Sequence, residues 1–273
     1  MKLGVNTVLF GGYDLPTAIK NIKFCGYDGV ELSSIVGMVE HLTPNATDQE
    51  LEEIRNLIAE NELELYCVEA ATNILDPENR ERTKRVFEKA AKLGIPMVTT
   101  GSAGESDNEE LFEQSVTAVE ELTKAAHDAG IKYALKLHYG QSIYNTKSAL
   151  KLLEAFQHPA LGLNFDATHV GRVGDDPVQA LDALQEHVIH SHIRDTMIDQ
   201  LAIAAPEFQT AGRGTVPLEG IINKMAEIDY QGATVLEIIG ANAYPLEQVT
   251  AIAAESRGYL SRLIIEATKN KEA

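Results

Sequence analysis

Residues 125–137 read AAHDAGIKYALKL. A run with helical spacing ends near Ala129. Gly130 follows where a left-handed C-cap is wanted, and the chain passes directly into a β-rich segment. AAKLGIPMVTT, residues 90–100, repeats the transition with Gly94 in the corresponding place, and Gly26 stands in the same way before DGVEL. Outward from these segments the alternation fills the chain. The predicted strands are LGVNTV (3–8), DGVEL (28–32), ELYCVEA (64–70), PMVTTG (96–101), KYALKLH (132–138), LGLNFD (161–166), VIHSHI (188–193) and ATVLEI (233–238). Such Val/Ile/Leu-dense runs suit parallel strands covered by helices. Helix starts are legible too. Thr47 and Glu50 form a capping box ahead of Leu51, Ile54, Leu57 and Ile58, while Asp76-Pro77 and Asp176-Pro177 each set an N-cap acid before a first-turn proline. About eight such units, with no dinucleotide glycine fingerprint after the first strand, predict an α/β fold closed as a single (β/α)8 barrel. A doubly wound open sheet is the alternative.

Barrels of this kind occupy about 250 residues, and this chain has 273 with no linker or low-complexity tract, so one domain over 1–273 is expected. There are 23 basic and 41 acidic residues, a formal charge of −18. That excess opposes a nucleic-acid partner, which would draw on clustered Lys and Arg. A small sugar or keto-polyol, recognised by hydrogen bonds, is compatible with it. Cys25 and Cys67 show no CxxC or Cys/His spacing and read as small reduced hydrophobes. The N-terminal MKLGVNTVLF lacks the layout of a secretory leader, and no apolar run approaches a membrane span. A cytoplasmic protein with no membrane partner is expected, with homo-oligomerisation left open.

Barrel active sites gather at the carboxyl ends of the strands. The polar residues there are Glu31 in the second predicted strand, Lys136 and His138 in the fifth, and Asp166 at the end of the sixth. His169 follows, then His190 and His192 in the seventh and Glu237 in the eighth. Asp, His and Glu from neighbouring late strands can converge on a divalent cation: Mg²⁺, Mn²⁺, Co²⁺ or Zn²⁺. His190 is read as a packed or supporting histidine, and residues 194–216 as a long loop covering substrate, with a short helix expected in IDQLAIAAPEF (198–208).

NFDATHV (164–170), HSHIRD (190–195) and VLEIIG (235–240) resemble the xylose isomerase-like barrel family, the sugar-phosphate isomerases and epimerases. Their usual forms are near NLDTGHA, HVHLKD and SLEL. GYDGVEL (26–32), NELELYCVEA (61–70) and GRGTVPLEGIINKMAEIDYQG (212–232) are similar too, so the likeness runs in order along nearly the whole chain. It implies Asp166, His192 and Glu237 as metal ligands and His169 as a group facing substrate or a second metal. It also implies Asp195 and Arg213, within the Gly212–Gly214 turn, near substrate beside His138 and Glu31. No nucleotide cofactor is implied. An abasic-site endonuclease of the same superfamily would need zinc histidines after the third and fourth strands, where EAATN and TTGSAG stand instead.

One position departs from the family. Its fifth strand ends near LALENH, with a glutamate that is both metal ligand and acid/base. Here YALKLH places Lys136 in that slot. A protonated amine has no lone pair for a cation and repels one. Three outcomes are open: His138 or His169 supplies the missing ligand; the Lys136 ammonium takes the metal's place between Asp166 and Glu237; or a neutral Lys136 acts as base or Schiff-base nucleophile. The expected activity is isomerisation or epimerisation by proton abstraction next to a carbonyl. Glu237, Lys136 and His169 are its candidate catalytic groups. A lyase, dehydratase or decarboxylase on the same scaffold is the alternative, and a metal-free sugar-binding barrel without catalysis is the third.

Overall fold

The computed structural model describes residues 1–272. Among these described residues nine strands occur in the order β1 (Lys2–Asn6), β2 (Gly29–Ile35), β3 (Val39–Glu40), β4 (Glu64–Glu69), β5 (Met97–Gly101), β6 (Lys132–Lys136), β7 (Leu161–Asp166), β8 (Val188–Ile193) and β9 (Ala233–Leu236). All but β3 run parallel, each beside the next, and β1 pairs with both β2 and β9, which closes the barrel. The short β3 pairs antiparallel with the end of β2. Closure settles the choice between barrel and open sheet.

Around the strands lie α1 (Leu15–Phe24), α2 (Asp48–Glu60), α3 (Pro77–Leu93), α4 (Glu109–Asp128), α5 (Thr146–Ala155), α6 (Ala167–Arg172), α7 (Pro177–Leu184), α8 (Leu218–Glu227) and α9 (Leu246–Glu272). Thr47 and Glu50 make the reciprocal capping box of α2, and Asp76 and Asp176 accept from first-turn amides of α3 and α7. Gly94 adopts φ 74° at the end of α3, where a Cβ would be strained. One buried apolar cluster joins strands to helices, including Phe87, Tyr133 and Phe165. Cys67 is buried and Cys25 half-buried, both as free thiols. Among the described residues no helix is long and apolar enough to cross a membrane.

Three strands stop two residues earlier than their composition suggests, and the stops shape the barrel mouth: β1 at Asn6, β6 at Lys136, and β9 at Leu236, which leaves Glu237 just past its strand rather than within it. The Asn6 side chain accepts the Val8 amide and turns Thr7–Phe10 into a 3-10 helix. At the end of β6 the chain leaves the sheet after Lys136, and the His138 amide donates to the Ile143 carbonyl instead. The β8–α8 connection is mostly irregular. The helix expected within 198–208 reduces to a 3-10 turn at Pro206–Phe208, where a proline opens the turn.

Candidate active site

Strand register builds the site before any side chain is considered. Asn6 lies opposite Glu31, Lys136 opposite Asn164 and Asp166 opposite His192. Asn6, Lys136 and Asp166 each end their strands, whereas Glu31 is the third of the seven residues of β2. Alternation along β6 sends Leu135 and Leu137 to the helical layer and Lys136 into the barrel. There the Lys136 ammonium donates to both Glu237 oxygens, at 2.8 Å each. It lies 3.5 Å from Glu69 Oε1 and 3.5 Å from Asp166 Oδ2. Arg194, just past β8, adds a second cation 3.5 Å from Glu237 and 3.9 Å from Asp166.

Beneath this layer lies a carboxylate clamped by imidazoles. Glu31 is fully buried, with His190 Nε2 at 2.6 Å on one oxygen and His192 Nε2 at 2.8 Å on the other, and Asn6 donates to it at 2.6 Å. His192 turns Nδ1 toward Glu237 Oε2, 3.5 Å away, and so links the two acids. Burial disfavours the Glu31 anion, but His192 and His190 outweigh it and hold Glu31 far below the usual carboxylate range. Burial also works against the His192 cation. Glu31, and Glu237 after it, prevail over burial and over Lys136, lifting His192 to about 10. Glu237 follows the same logic: burial opposes its charge, while Lys136, His192 and Arg194 hold it well below its ordinary value.

Three cations, Lys136, Arg194 and His192, thus face three ionised acids, Glu31, Asp166 and Glu237. Glu69 is the acid left over. It is buried, accepts from Asn6 at 2.6 Å, and is pushed up to about 7 by burial and by Glu237, with Lys136 pulling the other way.

His169 and His138 line the opening above. Their rings lie 3.9 Å apart centre to centre, and Tyr139 stacks 5.5 Å from His169. Arg194 donates to His169 Nε2 at 3.1 Å, consistent with the neutral ring that burial enforces against the pull of Asp166. The Tyr139 hydroxyl donates to the Leu201 carbonyl, and the Arg172 guanidinium reaches the Ala202 carbonyl, which ties the β8–α8 loop across the mouth. Lys136, His169, Arg194 and Glu237 keep only 3–5% of their surface exposed.

The expected site residues divide accordingly. Lys136, Asp166, His169, His192 and Glu237 converge, with His138 at the rim. Glu31 lies below them, its oxygens taken by His190, His192 and Asn6. Asp195 is buried and accepts the amides of Thr196, Gly212 and Val216, so it anchors the loop. That anchor needs Gly214, whose Cβ would collide with the Asp195 carboxylate. Arg213 is not brought to the cluster: it is exposed and doubly bonded to Glu255 of α9. Glu69, Asn6 and Arg194 join the site without having been singled out. Arg194 belongs to HSHIRD and Glu69 to ELYCVEA, two of the segments that carry the family resemblance.

Among the described residues two buried groups bring ligand atoms within 4.8 Å of one another: Glu31, His190 and His192; and Glu69, His192 and Glu237. Neither fits a divalent ion as it stands. In the first, both carboxylate oxygens already bond the imidazole nitrogens that would have to ligate. Asp166 Oδ2 and His192 Nδ1 lack hydrogen-bond partners, as metal donors would, but the ammonium of Lys136 lies among the second group. A dication and an ammonium at such a separation repel by on the order of 10 kcal/mol at an effective dielectric of about 20.

The shifts of His192 and Glu69 carry a stability signature. Both native values exceed their ordinary ones, 6.5 and 4.5, so the folded state holds the extra proton. The Glu69 contribution is complete below 4.5 and lost as pH rises through about 7; that of His192 is complete below 6.5 and lost through about 10. Thermal unfolding across this window should show a midpoint falling with rising pH, and His192→Asn should flatten the alkaline part. An alkaline limb unchanged in that variant would mean that His192 carries no proton-linked stability.

The fold and site define a (β/α)8 barrel whose carboxyl end gathers acids, imidazoles and two built-in cations. A family model described as xylose isomerase-like TIM barrel matches residues 19–263, and the chain belongs to that family. It is 23% identical to an inosose isomerase of Halalkalibacterium halodurans, over 86% of this chain and 87% of that one. It is 26% identical to a 3-dehydroshikimate dehydratase of Bacillus anthracis, over 72% and 74%. A crystal structure of the IOLI protein with a bound zinc atom superposes with a TM-score of 0.76, at 18% identity over 99% of both chains.

Proposed function

We propose that the chain isomerises a small keto-polyol of the inosose kind by proton transfer on one face of the carbon next to the ketone. The observation that carries this is the placement of the Lys136 ammonium between Glu237 and Glu69, at 2.8 and 3.5 Å. A base and an oxyanion partner are then adjacent, as enolisation requires. Glu69 is the better base, because a proton-transfer group works best near the operating pH and the Glu237 carboxylate is spent on the ammonium. Glu69 takes the proton from the hydroxyl-bearing carbon, and the electron pair passes through a new C=C bond to the carbonyl oxygen. Lys136 and Arg194 face the charge that develops there. The former carbonyl carbon then takes back one proton and its oxygen takes another, the second given up by the neighbouring hydroxyl, so that the ketone moves by one position with no net gain or loss.

Epimerisation is disfavoured by geometry. Bases on opposite faces of one carbon stand roughly 6–7 Å apart, since each approaches to about 3–3.5 Å. Here an oxygen of Glu69 and one of Glu237 lie within 4.8 Å of each other. Dehydration is the second reading. It needs the same proton abstraction plus a protonated leaving hydroxyl, and the likeness to a 3-dehydroshikimate dehydratase favours it.

Incubation with keto-inositols in D₂O, followed by NMR and absorbance, tests both. Isomerisation gives solvent deuterium next to the carbonyl and a new ketone of the same composition; dehydration gives loss of water and a conjugated enone band. Binding of these ketones with neither exchange nor turnover would leave a sugar-binding barrel and end the enzymatic proposal.

A further inference from the structure

We infer that Lys136 and Arg194 stand in for a divalent ion in this chain, so that the centre works with cations carried by the polypeptide and holds no resident metal. The inference concerns the site described above and does not depend on which reaction it runs, because metal content is measured without substrate.

Several independent observations converge on it. The Lys136 amine is bonded to both oxygens of Glu237 and lies 3.5 Å from Asp166 Oδ2, the atom of Asp166 that has no hydrogen bond. Glu237 and Asp166 are two of the three acids or imidazoles that the family resemblance assigned to a metal. The third, His192, has one nitrogen bonded to Glu31 and the other directed at Glu237. Arg194 closes the remaining side, against Asp166 and Glu237 and bonded to His169 Nε2. Every group that would have to ligate is therefore in contact with a side-chain cation or bonded to another site residue. A further dication would add charge to a centre where Glu31, Asp166 and Glu237 are already matched by cations, and the nearest ammonium could not retreat without breaking its bonds to Glu237.

The substitution also makes chemical sense for an oxyanion. A metal offers two positive charges at one point, whereas an ammonium and a guanidinium offer one each at two points, with hydrogens to donate. Either arrangement stabilises negative charge developing on a carbonyl oxygen.

The test is elemental analysis and calorimetric titration of the full chain, purified without chelating resin and exposed to Mn²⁺, Co²⁺ and Zn²⁺. The wild type should retain substoichiometric metal after gel filtration and show no saturable site that depends on Asp166. Lys136→Glu, which restores the family's strand-end acid, should gain about one equivalent, with the Co²⁺ absorption of a protein-bound ion. One equivalent in the wild type that disappears in Asp166→Asn would overturn the inference. Should Lys136→Glu not fold, the wild type and Asp166→Asn decide the matter alone.

Discussion

Replacing Lys136 by Met is expected to destabilise the protein by about 3–5 kcal/mol near neutral pH, because it removes one partner of a buried ion cluster and leaves the other charges uncompensated. The side chains of Lys136, Glu69, Asp166 and Glu237 are all 5% exposed or less, so water cannot take over the role of the ammonium. The loss has a distinctive pH dependence. Lys136 is among the groups that lower Glu237 and restrain Glu69, so without it the native acids hold their protons to higher pH than the unfolded ones. The variant should therefore regain stability as the pH is lowered toward the ordinary carboxylate range. Urea unfolding at neutral and mildly acidic pH measures this. A cost below about 1 kcal/mol at both would show the pair to be solvated, as surface pairs are.

Replacing Glu69 by Gln should lower kcat/KM for ketone proton transfer by about a hundred- to ten-thousand-fold, the usual scale for a positioned acid/base. Folding should be spared. The amide oxygen of Gln can still accept from Asn6, and the variant loses only the acid that lacks a full counter-charge. The unfolding midpoint at alkaline pH should stay level or rise. Unchanged turnover would move the base to Glu237, and a collapse of stability would make Glu69 a structural group.

The fold was legible because its signals are local. Gly26, Gly94 and Gly130 mark helix ends by their backbone freedom, and capping acids mark helix starts, whatever the rest of the chain does. The convergence of Lys136, Asp166, His192 and Glu237 was legible by resemblance and by their places at strand ends. What escaped depended on contacts between distant residues. Glu69 and Asn6 are ordinary strand residues in sequence, and only closure of β1 onto β9 turns them into the floor of the site. Arg213 looked promising inside a glycine turn, but nothing local announces that α9 brings Glu255 to it. His138 was placed in a strand by alternation, yet the β6 ladder ends two residues before it.

The ion pairs that cross the barrel axis also bear on how the chain acquires its structure. Lys136 and Glu237 are 101 positions apart, and Glu31 and His190 are 159 apart. While only the strands before β6 are organised, Glu31 and Glu69 have none of their later cationic partners and remain hydrated. Drying of the interior then has to coincide with arrival of the last strands, since burying those acids earlier would cost several kcal/mol each. The charges therefore tie drying to ring closure: a barrel missing its eighth staff leaves these acids without partners, and burying them there would be penalised.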